Sequence, residues 1–469
     1  MDTELTALTI AEAGQRIRAK VLSPVDVTEA YLARMEALNP RLNAYVLPTA
    51  DRARDDAKRA EAEIAGGNYR GPLHGIPIGL KDLYDTAGIR TSGGCKAYED
   101  RVPAEDSTVA RKLREAGAVL LGKLNTHELA YGTTTNNYWY GPTRNPWDTE
   151  MVPGGSSGGS GAATIASLAA GTMGTDTGGS IRIPASLCSC VGLKPTYGRV
   201  SKAGVMMMSW QLDHPGPLTR TVRDAAIMLS AVEGYDPRDA CTERVGKVDY
   251  ESAFTAGMEG LVVGVPRTYF FETLDEEVRS AVEAALEVFR RAGATVKHVE
   301  LASFREPFAA IFNMVRTEAT QFHAERMAAN RDGFSPELQA ILGQPPLSGL
   351  DYVAAQRAMM AYKEAVRAAL EEVSVLVVPT TMAPASPIGA SGVNVGGAEL
   401  PHGIAYAGLT APFNAAGVPA LSLPCGFTAG GLPIGMQIVG RPFDEWTVIR
   451  AGHAYEQLTE WHKRRPALG

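Results

Sequence analysis

Two segments rich in glycine and serine flank one short apolar stretch, and together they are the most informative part of this sequence for its fold. They are VPGGSSGGSG (Val152–Gly161) and GTMGTDTGGSIRIP (Gly171–Pro184), and AATIASLAA (Ala162–Ala170) lies between them. By composition the first segment is typical of a flexible linker. A linker joins self-contained modules, however, whereas these segments flank small residues suited to close packing. The sequence therefore predicts a site at a helix N-terminus, where free N–H groups favour negative charge.

The composition of the whole chain argues against several classes of protein. The 469 residues are 45% hydrophobic, which is typical of a large buried interior. The net charge of −7, without a strongly basic run, gives no support for nucleic-acid binding. No apolar run reaches transmembrane length, and the N-terminus lacks the pattern of a signal peptide. We therefore expect a cytoplasmic protein with neither a nucleic-acid partner nor a membrane partner.

The five cysteines predict neither disulfides nor a metal site. Their number is odd and their spacing irregular, which argues against a disulfide framework. Cys188 and Cys190 have no second cysteine or histidine pair at zinc spacing, so we expect them to be small core residues. No other cluster of metal ligands is visible. The sequence thus predicts chemistry that needs no metal and no organic cofactor.

Predicted helices and strands alternate along the chain. The helices cover residues 23–38, with Pro40 as the terminator, and residues 50–65, 107–116 and 275–291. The strands cover residues 76–81, 118–124, 261–265, 294–301, 373–378, 420–423 and 433–439. This alternation predicts an α/β fold with a largely parallel or mixed sheet.

The first glycine-rich segment allows two further interpretations. Gly155–Gly159 matches G-x-S-x-G, the nucleophile elbow, with Ser157 as nucleophile. That elbow directly follows a strand, whereas Asn145–Pro153 is typical of a loop. A phosphate-binding loop is less favoured, because no Gly-Lys-Ser/Thr follows. An esterase that uses Ser157 stays open as an alternative.

Several longer motifs in this sequence are similar to those of a known protein family. PGGSSGGSGAA (Pro153–Ala163) and GTDTGGSIRIPAS (Gly174–Ser186) resemble the paired signature of the amidase signature family of serine hydrolases. HGIPIGLKDLYDTAGIRTSGG (His74–Gly94) and the run from Phe413 to Glu445 are similar to other segments of that family. The likeness covers nearly the whole chain and is weakest at about 240–375.

The resemblance implies the architecture. It implies the amidase signature fold, in which helices cover both faces of a large mixed, mostly parallel β-sheet. It also implies one domain over residues 1–469. The signature core would cover about 70–225, and a more variable region that forms a substrate funnel would cover about 240–375.

The resemblance also implies three catalytic residues: Lys81, Ser156 and Ser180. A serine hydroxyl is a weak nucleophile and needs a neighbouring base. A lysine can be that base if burial keeps its amine neutral, and Lys81 ends an apolar predicted strand. Ser156, entered through a cis peptide bond, would relay the proton from Ser180 to Lys81.

Further residues have implied roles around this triad. An oxyanion hole would be built from the backbone N–H groups of Thr177, Gly178, Gly179 and Ser180. The loop and the network would be supported by Ser157, Asp176 and Arg182. Substrate would contact Tyr131, Gly132 and Gly155; a core position is an equally good interpretation of Tyr131.

The implied activity is hydrolysis of small aryl or alkyl amides to a carboxylate and an amine, with a small-molecule amide and water as substrates. Carbamates, as in a urethanase, and esters are further candidates. A second possibility within the family is the glutaminase (A) subunit of a tRNA-dependent amidotransferase. We favour a stand-alone amidase, because no clear Arg and Asp pair for binding an amino acid is visible in the C-terminal half. The resemblance leaves a homodimer open.

Overall fold

The strands account for the predicted sheet. The computed structural model describes residues 3–468, so Met1, Asp2 and Gly469 lie outside the described residues. The prediction that the N-terminus is not a signal peptide falls partly on these residues. In that range the strands are β1 (Tyr45–Pro48), β2 (Pro77–Lys81), β3 (Val119–Leu124), β4 (Asn136–Asn137), β5 (Gly141–Pro142), β6 (Gly171–Asp176), β7 (Val191–Lys194), β8 (His214–Thr219), β9 (Val262–Val265), β10 (Thr295–His298), β11 (Val375–Pro379), β12 (Val393–Val395), β13 (Ala398–Leu400), β14 (Ala420–Phe427) and β15 (Pro433–Val439).

Among the described residues, eleven of these strands form one mixed sheet. Their spatial order is β1-β3-β2-β6-β8-β7-β14-β15-β11-β9-β10. Strand β2 pairs in parallel with β3 and β6, and β9 with β10 and β11. The other neighbours are antiparallel. The predicted α/β class with a large mixed sheet is confirmed.

The helices lie between the strands. They are α1 (Thr3–Ala7), α2 (Ile10–Arg18), α3 (Pro24–Leu42), α4 (Ala50–Ala65), α5 (Thr108–Glu115), α6 (Gly158–Ile165), α7 (Arg182–Cys188), α8 (Val222–Val232), α9 (Glu276–Arg291), α10 (Arg305–Ala329), α11 (Pro336–Leu342), α12 (Gly349–Glu371), α13 (His402–Ala407), α14 (Ala411–Ala415) and α15 (Glu445–Gln457). Across residues 3–468, no helix has both the length and the apolar character that a membrane crossing requires.

One predicted helix end is wrong. Helix α3 contains Pro40 and continues to Leu42. Proline removes only one N–H donor, and it lies here in the last turn. The helix ends instead at Asn43, which adopts the left-handed conformation and donates its N–H to the carbonyl of Asn39.

The two glycine-rich segments contain more regular structure than their composition predicts. Helix α6 begins at Gly158, inside the first segment, and the second segment starts as strand β6 and ends in helix α7. A Cβ atom on Gly159 would lie 2.4 Å from the carbonyl oxygen of Asn125, and one on Gly174 would lie 2.8 Å from the side chain of Leu218. The glycines at these positions allow close packing, so the segment is not a spacer.

Strand direction brings the predicted site residues to one edge of the sheet. Strands β2, β3 and β6 are parallel neighbours, so their C-terminal ends meet at the same edge. Lys81 is the last residue of β2, and Asp176 is the last residue of β6. Ligands in α/β proteins bind outside such carboxyl ends. The loop that follows β6 carries Ser180 from this edge.

Candidate active site

Lys81 lies where a neutral amine is favoured. Its side chain is fully buried, and its Nζ donates to Ser156 Oγ at 2.7 Å and to Thr175 Oγ1 at 2.8 Å. Burial lowers the pKa of Lys81 to about 7, although the carboxylates of Asp213 and Asp176 oppose the shift. Near neutral pH a large fraction of this amine can therefore accept a proton.

Ser156 is held by its backbone. The Gly155–Ser156 peptide bond is cis. The Ser156 carbonyl accepts hydrogen bonds from Thr126 Oγ1 at 2.9 Å and from the N–H of His127 at 3.1 Å. These contacts fix the residue while its hydroxyl accepts from Lys81.

Gly155 does not have the predicted substrate-binding position. It is buried, and a Cβ atom there would lie 2.7–2.8 Å from backbone atoms of Thr133, Thr134 and Thr135. Because its own surface faces this neighbouring backbone, it is not part of the cavity lining described below. The expectation that Gly155 contacts substrate is therefore corrected: the residue is glycine because two chain segments pass very close together.

Ser180 lies in the loop between β6 and α7 and opens into a cavity of about 460 Å³. Its side chain is nearly buried, with 7% exposed. Within residues 3–468, no hydrogen bond joins the hydroxyls of Ser156 and Ser180, so a proton path between them stays a prediction. The structure does join Ser157 to Ser180 through the backbone, N–H to carbonyl, at 3.3 Å.

The expected row of four free N–H groups is reduced to three. The N–H of Gly179 donates to Asp176 Oδ1 at 2.8 Å, so it is not available to a ligand. In the described part of the chain, the N–H groups of Thr177, Gly178 and Ser180 have no acceptor. Gly179 has a φ of 136°, which favours glycine and lets the loop turn back on Asp176.

Asp176 and Arg182 form a fully buried ion pair that fixes this loop. Arg182 Nη2 lies 3.0 Å from Asp176 Oδ1, and Asn414 Nδ2 donates to the same carboxylate oxygen at 2.8 Å. Burial alone would raise the pKa of Asp176, but the charge and hydrogen bonds of Arg182 outweigh it and lower this pKa below its usual value. The loop therefore has a permanently charged anchor, in the place the sequence predicts.

Ser157 faces away from the cavity. Its hydroxyl donates to the Thr175 carbonyl at 3.1 Å and accepts from the Thr175 N–H at 3.3 Å. The residue is fully buried, and the chain before it, Asn145–Pro153, forms a loop rather than a continuous strand. The geometry therefore does not favour a nucleophile elbow at Ser157.

Among the described residues, the cavity lining is mostly apolar, and Glu337 is its one formally charged side chain. Tyr131 and Gly132 line it, as the sequence predicts. Burial raises the pKa of the Tyr131 hydroxyl to about 12, so this side chain stays neutral. Other lining residues come from distant parts of the chain, among them Val152, Ile183, Met208, Phe312, Ile341, Pro387 and Ala407.

Three residues of the site were not predicted from the sequence: His127, Thr175 and His402. Both histidines line the cavity, and burial lowers the pKa of each, that of His127 to about 4. Both imidazoles are therefore neutral near pH 7. His127 lies four residues before Tyr131 in the stretch GKLNTHELAYG (Gly122–Gly132), so its nearness to a predicted substrate contact could have indicated it. His402 comes close only through the tertiary fold, and no sequence pattern indicates it.

A larger groove, of about 1060 Å³, lies outside this site. None of the three predicted catalytic residues lines it. Its arginines have partners; for example, Arg101 Nη1 lies 2.6 Å from Asp85 Oδ1. The smaller cavity at Ser180 is therefore the candidate active site.

Comparison with known proteins gives one consistent family. The sequence model of the amidase family, described as "Amidase", matches residues 26–449. The A-subunit of the glutamyl-tRNA(Gln) amidotransferase of Geotalea daltonii (strain DSM 22248 / JCM 15807 / FRC-32) is 41% identical, over 99% of this chain and 100% of its own length.

Two solved structures are similar over nearly the whole chain. One, from work on a vestigial protein complex and the evolutionary origins of an s-triazine catabolic enzyme, has a TM-score of 0.91 and 34% identity, and covers 96% of this chain and 98% of its own. The other, a bacterial aryl acylamidase of the amidase signature enzymes, has a TM-score of 0.91 and 29% identity, and covers 97% of both chains. These matches confirm the resemblance found in the sequence.

Proposed function

We infer that this chain, which belongs to the amidase signature family of hydrolases acting on C–N bonds, cleaves uncharged aryl or alkyl amides and carbamates through an acyl-enzyme on Ser180. The observation that carries this inference is the buried Lys81 amine, 2.7 Å from the Ser156 hydroxyl. It is also bonded to Thr175, in the strand that leads directly to the Ser180 loop.

The proposed reaction has two halves. In the first, the Ser180 Oγ–H proton passes through Ser156 to neutral Lys81 while Oγ forms a bond to the substrate carbonyl carbon. The C–N bond then breaks, and the amine leaves with that proton. In the second, water forms a bond to the acyl carbon and gives its proton through Ser156 to Lys81. The bond between Ser180 Oγ and that carbon then breaks, Oγ takes the proton back from Lys81 through Ser156, and the carboxylate is released. With a carbamate, the acyl group on Ser180 is an alkoxycarbonyl group.

The oxyanion is proposed to bind three backbone donors. The free N–H groups of Thr177, Gly178 and Ser180 support this role, and each such donor is typically worth about 3–4 kcal/mol in the transition state. Gly179 is left out because Asp176 occupies its N–H. Asp176 and Arg182 then act by holding the loop in this shape.

The lining of the cavity supports an uncharged substrate. Within residues 3–468, Glu337 is the one formally charged side chain of the lining, and no lysine or arginine is present there. Phe312 and Ile341 come from the variable region at about 240–375, which supports our proposal that this region shapes the substrate side. An apolar acyl or aryl group fits such walls better than a charged one.

The curated relatives support a different substrate. The proteins at about 41% identity are named as the A-subunit of glutamyl-tRNA(Gln) amidotransferase, and their names favour glutaminase activity over general amidase activity. Glutamine carries an α-ammonium and an α-carboxylate, and the latter calls for a cation that the described lining lacks. We therefore keep glutaminase as the second candidate and place uncharged amides first.

One panel of substrates separates the two candidates. The isolated chain is given an anilide, an aryl carbamate, an ester and glutamine, with Ser180→Ala as the matched inactive control. We expect saturable release of amine from the anilide and the carbamate, and no ammonia from glutamine. If the chain released ammonia from glutamine and did not cleave the anilide, glutaminase would become the first candidate and amidase the second. Full anilide turnover in Ser180→Ala would reject both candidates.

A further inference from the structure

The segment Met208–Trp210 separates two cavities. Met208 lines the Ser180 cavity, and it also lines a second cleft of about 270 Å³ on the outer side. The outer cleft is further bounded by Trp210 and by Phe322 of helix α10. The position of Met208–Trp210, which we call the partition, therefore determines how much room the Ser180 cavity has on this side.

The partition is held from the inside by a buried carboxylate. Asp213 accepts hydrogen bonds from the N–H groups of Met208 at 2.8 Å and Ser209 at 3.1 Å. The same side chain accepts from Thr177 Oγ1 at 2.6 Å. The inner face of the partition is thus tied to the loop that carries Ser180.

A second carboxylate holds the partition from the outside. Glu318, on helix α10, accepts from Ser209 Oγ at 2.6 Å and from the Trp210 N–H at 2.9 Å through Oε2. Its other oxygen accepts from Tyr352 Oη of helix α12 at 2.6 Å and from Gln211 Nε2 at 3.3 Å. Burial and this bond to Glu318 raise the pKa of Tyr352 to about 12, so the phenol remains a donor.

We propose that Glu318, oriented by Tyr352, is a positioning residue that sets the width of the Ser180 cavity by holding the partition in place. The inference deepens the proposed function, because the cavity width selects the size of the acyl or amine group. Two carboxylates bind three consecutive residues from opposite sides, so the partition cannot shift toward either without losing charge-assisted hydrogen bonds. Without Glu318, the N–H groups of the partition keep, among the described residues, only the bonds of Met208 and Ser209 to Asp213. The outer cleft, which Glu318 lines, also gains the volume of the missing side chain, and the partition can shift into it.

The kinetic test compares a small anilide with one that carries a bulky acyl group. For Glu318→Ala we expect the ratio of kcat/KM, bulky over small, to rise about tenfold, mainly through a higher KM for the small substrate. Tyr352→Phe, which removes one hydroxyl, should raise the ratio about threefold, and Glu318→Gln should give an intermediate value. Glu325→Ala is the matched control, because Glu325 is an exposed residue of the same helix.

A substrate-free measurement distinguishes this inference from the proposed function. Hydrogen exchange of the peptide Val205–Leu212 should be about tenfold faster in Glu318→Ala and unchanged in Glu325→Ala, since the Trp210 N–H loses its acceptor. Unchanged exchange, or an unchanged selectivity ratio in folded Glu318→Ala and Tyr352→Phe, would overturn the inference. A wild-type protein inactive on both anilides, with faster exchange in Glu318→Ala, would instead reject only the proposed function.

Discussion

Lys81 and Lys123 lie on neighbouring strands and are equally buried, but their partners differ. Lys81 donates to two hydroxyls, those of Ser156 and Thr175, and no carboxylate among residues 3–468 lies within ion-pair distance of it. Lys123 Nζ donates to the Tyr84 carbonyl and to Thr91 Oγ1, and it also lies 3.6 Å from the carboxylate oxygen Asp82 Oδ1. Burial lowers both pKa values, to about 7 for Lys81 and about 8 for Lys123.

Burial alone therefore does not make a lysine a base. A neighbouring carboxylate stabilises the ammonium form and gives Lys123 a structural role, as the cation that holds the turn after β2. Neutral hydroxyls beside Lys81 offer a proton path without trapping the proton. The hydrogen-bond partners of Lys81, which come from the segment before α6 and from β6, therefore favour Lys81 over Lys123 as the proposed base.

Replacing each lysine by methionine tests this comparison with the largest effect. We expect Lys81→Met to lower kcat/KM by about 10³-fold or more, because the base is lost, while the protein stays at least as stable as the wild type. Lys123→Met should lose about 3 kcal/mol of unfolding free energy, because Asp82 is left without its cation, but should keep activity per folded molecule. Anilide kinetics measure the activity of the two variants, and urea unfolding measures their stability. Equal losses of activity in the two variants would contradict the proposed difference between Lys81 and Lys123.

The pH dependence identifies which lysine titrates in catalysis. Only neutral Lys81 can accept a proton, so kcat/KM should rise with pH and level off above the Lys81 pKa of about 7. Below that value it should fall about tenfold per pH unit. His127, with a pKa of about 4, titrates too low to cause this limb. Lys123→Met should keep the same limb; its disappearance in that variant would contradict the assignment.

Removal of the Thr175 hydroxyl is expected to have a smaller effect on activity than removal of the Lys81 amine. Thr175→Val keeps the side-chain shape but removes the acceptor 2.8 Å from Lys81 Nζ. We expect kcat to fall about tenfold, because the amine is no longer oriented. Since the ammonium form loses a stabilising hydrogen bond, the acid limb should move to lower pH. A limb that moves upward would show that Thr175 stabilises the neutral amine instead.

The smallest effect is expected at Ser157. Its hydroxyl bonds only to the backbone of Thr175 among the described residues, so Ser157→Ala should cost about 1 kcal/mol of stability and only a few-fold in kcat. Thermal unfolding and anilide kinetics are the measurements. A complete loss of activity in folded Ser157→Ala would restore the nucleophile elbow as an explanation.

The sequence predicts those parts of the site that local motifs encode. Lys81 and the two glycine-rich segments lie in contiguous stretches that resemble family motifs, so their roles could be predicted from the resemblance before the fold was known. The position of Gly155 depends on neighbours at Thr133–Thr135, which no local pattern encodes. The occupied N–H of Gly179 is different: its acceptor, Asp176, lies three residues earlier, so the local sequence contains both partners of this bond. Strand β6 was not predicted for the same reason as the position of Gly155: its glycines pack against side chains from distant parts of the chain, such as Leu218.

Covalent labelling is the most direct test of the proposal that Ser180 is the nucleophile and Lys81 its base. The wild type, Lys81→Met and Lys123→Met are treated with a fluorophosphonate, which reacts with activated serine hydroxyls, and the labelled peptide is found by mass spectrometry. We expect one adduct, on Ser180, which forms much more slowly in Lys81→Met and is retained in folded Lys123→Met. An adduct on Ser157, or undiminished labelling in Lys81→Met, would contradict it.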